Sequence, residues 1–129
     1  MDPAAVDLAP ASRRGSILVV EDDPDIRETL RDVLEIEGYE VTTAEHGKDA
    51  LDKLARMARP CLVLLDLMMP VMSGAEFLAV LRKDEVLSTL PVVVVSAWPK
   101  EAAKVRDAQG FVKKPVDLDA LLRLMGQYC

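Results

Sequence analysis

The stretch CLVLLDLMMP (residues 61–70) sets five apolar residues in a row, then Asp66, then three more apolar residues. A run of this length with Leu and Val on both parities suits a strand buried on both faces of a parallel sheet. An isolated ionised carboxylate is prohibitive in a dry interior. Asp66 is therefore expected to be paired, bound to a cation, protonated or placed at an exposed edge.

Similar short runs recur along the chain: ILVV (17–20), YEVTTA (39–44), PVVVV (91–95) and a weaker GFV (110–112). Helix-period segments lie between them. Residues 24–37 carry Ile26, Leu30, Val33 and Leu34 on one face, with Asp23 as N-cap, Pro24 at the first helical position and Gly38 past the end. Residues 48–58 carry Leu51, Leu54 and Ala58. Ser73 can cap a helix holding Phe77, Leu78 and Leu81, and Asp117 one holding Leu118, Leu121, Leu122 and Met125. Residues 100–108 are short and weakly amphipathic. This alternation predicts an α/β fold, a doubly wound parallel sheet of five strands with helices on both faces and a short or irregular fourth helix. We expect a disordered tail over 1–15, one domain over 16–129 and no output domain.

The bulk numbers narrow the function. A chain of 129 residues suits one domain with one core. A net charge of −6 argues against nucleic acid, whose backbone needs a positive surface. No apolar stretch approaches the ~20 residues of a membrane span, and the N-terminus has no secretory h-region. Cys61 reads as a small buried hydrophobe and Cys129 as an exposed thiol; two such thiols make neither a disulfide framework nor a metal site, so a reducing cytoplasm is the simplest setting. The single histidine, His46, reads as a loop residue without a catalytic role.

In open α/β sheets ligands bind beyond the carboxyl ends of the strands. The residues just past each run are therefore informative: Glu21-Asp22-Asp23, then Asp66, then Ser96-Ala97, then Lys114-Pro115. Clustered carboxylates need a cation, and oxygen-only ligands without His or Cys suit Mg²⁺. A carboxylate beside Mg²⁺, an ammonium and a hydroxyl is equipped to attack a phosphoryl group and become an aspartyl phosphate. Taken singly, Asp23 is a helix cap, Asp66 a cap or turn residue, and Ser96 or Lys114 means little. Only the four strand ends together point to this chemistry.

LVVEDDPDIR, LLDLMMPVMSG, VVSA and FVKKP, in this order, resemble the motifs of response-regulator receiver domains of two-component signalling, over nearly the whole chain from Ser16. The resemblance implies the flavodoxin-like sheet in strand order 2-1-3-4-5 and a stand-alone single-domain receiver. It makes Asp66 the phosphoacceptor, Glu21 and Asp22 the acidic pair that holds Mg²⁺ with Asp66, and Met68 a ligand through its backbone carbonyl. It makes Ser96 the switch hydroxyl, Lys114 the lysine that pairs with the phosphoryl group, and Phe111 the aromatic that turns inward. A core aromatic is the competing reading of Phe111. It also implies a cis Lys114–Pro115 bond. The donor would be phosphohistidine on a histidine kinase or histidine phosphotransfer protein, docking around Ile26, Leu30 and Pro115–Val116, with core packing the alternative for Ile26 and Leu30. A downstream partner protein would read the phosphorylated state. Such a module is not an enzyme, since it catalyses only its own phosphorylation and dephosphorylation.

Some features depart from the family. Glu21 replaces the commoner Asp, and Ser96 replaces Thr. Ser96 and Lys114 are 18 positions apart, about a helical turn fewer than the family usually has, with the shortfall in the fourth helix. Trp98, two residues past the serine, is expected to shield the site from water. Two other functions compete. An aspartate-nucleophile phosphatase needs a second acid where Met68 stands. A degenerate receiver that binds partners without phosphorylation is kept alive by the altered fourth helix.

Overall fold

The computed structural model describes residues 14–97, 105 and 107–129. Five parallel strands, β1 (Ser16–Val20), β2 (Glu40–Ala44), β3 (Leu62–Asp66), β4 (Val92–Ser96) and β5 (Gly110–Lys113), pair in the order β2-β1-β3-β4-β5. The helices are α1 (Pro24–Ile36), α2 (Gly47–Leu54), α3 (Gly74–Lys83) and α4 (Leu118–Met125).

Strand periodicity divides the core in two. Ile17, Val19, Leu62, Leu64, Val93 and Val95 point to one face, where Leu30 and Leu34 of α1 and Leu121 and Met125 of α4 cover them. Leu18, Val20, Val63, Leu65 and Val92 point to the other, against Ala50 and Leu54 of α2 and Phe77, Leu78 and Leu81 of α3. This is why the apolar runs show no polar alternation.

The caps match the sequence. Asp23 accepts from the Asp25 and Ile26 amides at 2.9 and 3.3 Å. Ser73 and Glu76 form a reciprocal capping box, and Asp117 accepts from Ala120 N–H at 3.1 Å. Gly38 ends α1 at φ 99°, a left-handed conformation that favours glycine.

Several expectations are corrected. Helix α2 stops at Leu54, and Ala58 is exposed; the turn at 55–57 closes on the Lys53 carbonyl, just ahead of Pro60. His46 does lie in the loop before α2, as expected, where it serves as the N-cap, its Nδ1 accepting from Asp49 N–H at 3.1 Å. Cys61 and Cys129 form a disulfide, with Cα atoms 5.5 Å apart, so the reading of two separate thiols is overturned. Cys61 precedes β3 at the amino edge of the sheet, and the chain beyond α4 returns to that edge. A sequence separation of 68 gives no local sign of this meeting.

Of residues 100–108, only Val105, Asp107 and Ala108 are described, none in helix. The expected fourth helix otherwise lies outside the described residues, as do Trp98 and residues 1–13. Arg14 and Gly15 pack on the domain: the Arg14 guanidinium lies 5.9 Å over the Tyr39 ring, and Gly15 O accepts from Glu40 N–H.

Candidate functional site

The carboxyl ends of β1, β3, β4 and β5 bring Glu21, Asp22, Asp66, Ser96 and Lys114 to one edge. Glu21 comes directly after β1, and its N–H bonds to Ala44 O of β2. Asp66 is the last residue of β3, in register with Val95. Ser96 ends β4, and its carbonyl accepts from Lys114 N–H at 2.9 Å, which fixes the start of the β5–α4 turn. The Lys114–Pro115 bond in that turn is cis.

Glu21, Asp66 and Ser96 are the buried polar residues among those described. Asp22 is exposed. One carboxylate oxygen from each of Glu21, Asp22 and Asp66 lies within 4.8 Å of the others. Lys114 Nζ stands 2.8 Å from Glu21 Oε1 and 3.6 Å from Asp66 Oδ1. The cleft above them, about 210 Å³, reaches Met68 and Ala97.

Electrostatics are set by this placement. Burial pushes the Asp66 carboxyl up to about 7, and the Glu21 carboxylate beside it pushes the same way, against a smaller downward pull from Lys114. Burial alone would lower the Lys114 ammonium, but Glu21 and Asp66 outweigh it, and its pKa is raised. The two shifts are compatible because the ammonium is shared and sits closer to Glu21, leaving Asp66 only part of its field. Two buried acids and an exposed one around a single ammonium remain net negative. The donor set is all oxygen, so a hard divalent cation such as Mg²⁺ fits it.

The turn after Asp66 is tightly built. Met68 N–H donates to Asp66 Oδ1 at 3.3 Å, and Gly74 N–H to Leu67 O at 3.0 Å. A Cβ at Gly74 would lie 2.3 Å from the Asp66 carbonyl oxygen, so this close approach admits only glycine. Val71 is held at φ 68°, unfavourable for a β-branched residue. No sequence signal marked Val71, since Gly or Asn would be the usual sign.

Phe111 is 42% exposed, and Val112 is the inward residue of β5, so the core-aromatic reading is set aside. Leu30 belongs to the core, in line with the packing alternative. Ile26 is half-buried, and both line a groove of about 320 Å³ with Pro115 and Val116. Sequence reasoning missed Arg27, whose Nη1 donates to Glu21 O at 3.0 Å and reaches Asp22 O at 3.5 Å. It pins the acidic loop to α1. Its place one turn into a helix just after paired acids was the available signal.

Strand order, edge and donor set together define a doubly wound α/β domain with an acidic, oxygen-lined cleft at its topological switch. The chain belongs to the response regulator receiver domain family of two-component signalling, whose model matches residues 17–125. It is 42% identical over 117 residues to an uncharacterised 14.6 kDa protein of Leptolyngbya boryana, covering 88% of each. It is 33% identical to the polar-differentiation response regulator DivK of Brucella anthropi, covering 88% of this chain and 94% of that one. It also resembles the response regulator TrrA of Thermotoga maritima, solved in complex with Mg²⁺-BeF. Their identity is 34% and the TM-score 0.80, over 88% of this chain and 98% of that one. Among the described residues no helix is long and apolar enough to cross a membrane.

Proposed function

We propose that this chain is a phosphoacceptor receiver that takes a phosphoryl group from phosphohistidine onto Asp66. The observation that carries the reading is the meeting of Glu21, Asp22 and Asp66 within 4.8 Å beside Lys114. Glu21, Asp22, Asp66 and the Met68 carbonyl would hold Mg²⁺. Bound there, the cation would neutralise charge on the phosphoryl oxygens.

The chain's own residues supply the rest. Asp66 is the nucleophile, attacking phosphorus through a carboxylate oxygen while the histidine nitrogen leaves. Lys114 swings from Glu21 and Asp66 toward the new charge. Ser96 turns its hydroxyl to the phosphoryl oxygens, and Phe111 moves inward into the space that this opens. The shift of that population is what a partner protein reads. The donor is a histidine kinase or a histidine phosphotransfer protein, and the groove lined by Ile26, Pro115 and Val116 is where it docks. The same reading puts the module in the cytoplasm and makes residues 16–129 the receiver domain.

Intact-mass spectrometry after incubation with acetyl phosphate and Mg²⁺ tests this. One added phosphoryl group is expected, absent in Asp66→Asn and in EDTA. No added mass, with a control receiver labelling normally, would turn the reading toward a receiver that binds partners without phosphorylation.

A further inference from the structure

At the edge of the sheet opposite the acidic cleft, the disulfide ties the chain beyond α4 to the start of β3. We propose that Cys61–Cys129 is a redox-exchange site. It is a clasp opened by dithiol reductants and closed by disulfide oxidants, and it sets how firmly α4 is held to the sheet. The proposal stands on the fold alone and goes beyond the phosphoacceptor reading.

Both cysteines are positioned without the bond between them. Cys61 N–H donates to Ser16 O at 2.8 Å, and Cys129 N–H to Met125 O at 2.9 Å. The Cα separation of 5.5 Å lies in the ordinary range for bridged cysteines, so reduced thiols would still face each other. Cys129 is exposed and Cys61 half-buried. Gly15 closes over the Cys61 sulfur: a Cβ there would stand 3.0 Å from Sγ. Reductant therefore has its approach from the Cys129 side.

The exchange balances without further reagents. A thiolate of the dithiol attacks Cys129 Sγ, a new S–S bond forms, and the Cys61–Cys129 bond breaks with its electron pair on Cys61. Cys61 takes a proton, and its S–H has the Ser16 carbonyl oxygen 3.2 Å away as acceptor. The reductant's second thiol then displaces Cys129 as a thiol. The reductant ends as a disulfide, having given two electrons and two protons. In a reducing compartment, disulfides are characteristically transient or redox-sensing rather than permanent staples.

Helix α4 is the element that such a clasp governs. It has eight residues, too few to hold a helix by itself. Its attachments are the buried Leu121 and Met125, the partly buried Leu118, Leu122 and Leu124 packed on the same core, a 3.4 Å bond from Tyr128 Oη to Gln109 O just past its end, and the disulfide. Leu118 at its start lines the groove beside Pro115, so loosening α4 reaches a surface that a partner can sense.

The test combines thiol trapping with amide hydrogen exchange on the folded protein. Without reductant, iodoacetamide should add no mass. After dithiothreitol in native buffer it should add two groups, and oxidised glutathione should reverse this. Exchange in 118–128 should rise by roughly tenfold on reduction. Cys129→Ser should show the faster exchange with or without reductant. Alkylation before reduction, reduction only in denaturant, or equal exchange in the two states would each overturn the proposal.

Discussion

Glu21 is buried with its carboxylate 2.8 Å from the Lys114 ammonium, and Asp66 shares that ammonium at 3.6 Å. Removing one partner of a buried pair leaves an uncompensated charge. Lys114→Met should therefore cost about 3 kcal/mol in urea unfolding without metal, and less with Mg²⁺ present. An unchanged midpoint would mean that solvent already balances the two acids. The pH dependence has a definite sign. The folded Asp66 carboxyl titrates at about 7 against an ordinary 3.8, so the folded state holds the proton more tightly. Its contribution to stability is complete below the ordinary value and is lost as pH rises through the folded one. Metal-free stability should therefore fall between about pH 4 and about pH 7, and Asp66→Asn should flatten that fall. An identical pH slope in the variant would contradict the raised value. Glu21, Asp22, Asp66, Ser96 and Lys114 could be read from sequence because they stand within two residues of the end of an apolar run. Arg27 offered only its place one turn into the helix after paired acids, since it acts through backbone carbonyls, and Val71 offered nothing, since it acts through a dihedral angle.

Helix starts in this protein are set locally. Asp23, Ser73 and Asp117 each satisfy amides of the first turn with their own side chains, and all three were visible in the sequence. Asp23→Ala should lower stability by about 1 kcal/mol in chemical denaturation. It should leave Mg²⁺ affinity nearly intact, because Asp23 contributes only its amide to the acidic loop, donating to Glu21 Oε2 at 3.2 Å. A large loss of affinity would make Asp23 part of the metal site instead. Helix ends were less legible. Helix α2 stops short of the expected 58 because the chain turns on the Lys53 carbonyl, ahead of Pro60. The entry to β5 depends on Arg82, whose guanidinium donates to Ser88 O, Leu90 O, Asp107 O and Gln109 Oε1. Gln109 in turn exchanges bonds with Val92, its side chain accepting Val92 N–H. No periodicity announces such a strut, since its partners lie 6 to 27 residues away.

At the scale of the molecule, two half-cores on either face of one sheet are closed by α1 with α4 and by α2 with α3. The disulfide adds a covalent link across a separation of 68 residues, and its loop contains β3, β4 and β5. On the chain-entropy account, a loop of this size is worth about 4 kcal/mol through the unfolded state. Reduction should therefore lower Tm by roughly 10–15 °C, and Cys129→Ser should match the reduced protein with or without reductant. Equal melting curves for both forms would show that the unfolded chain gains nothing from release. By itself the sequence determined the strands, the sheet class and the row of polar residues at its carboxyl edge. These are set by neighbours along the chain: apolar period, caps, and the residue that ends each run. Only the tertiary structure decided which distant groups meet. Lys114 lies between Glu21 and Asp66, Gly74 against the Asp66 carbonyl, and Cys129 on Cys61. Those meetings depend on how crossovers and helix ends return to the sheet, and no local stretch of chain encodes that return.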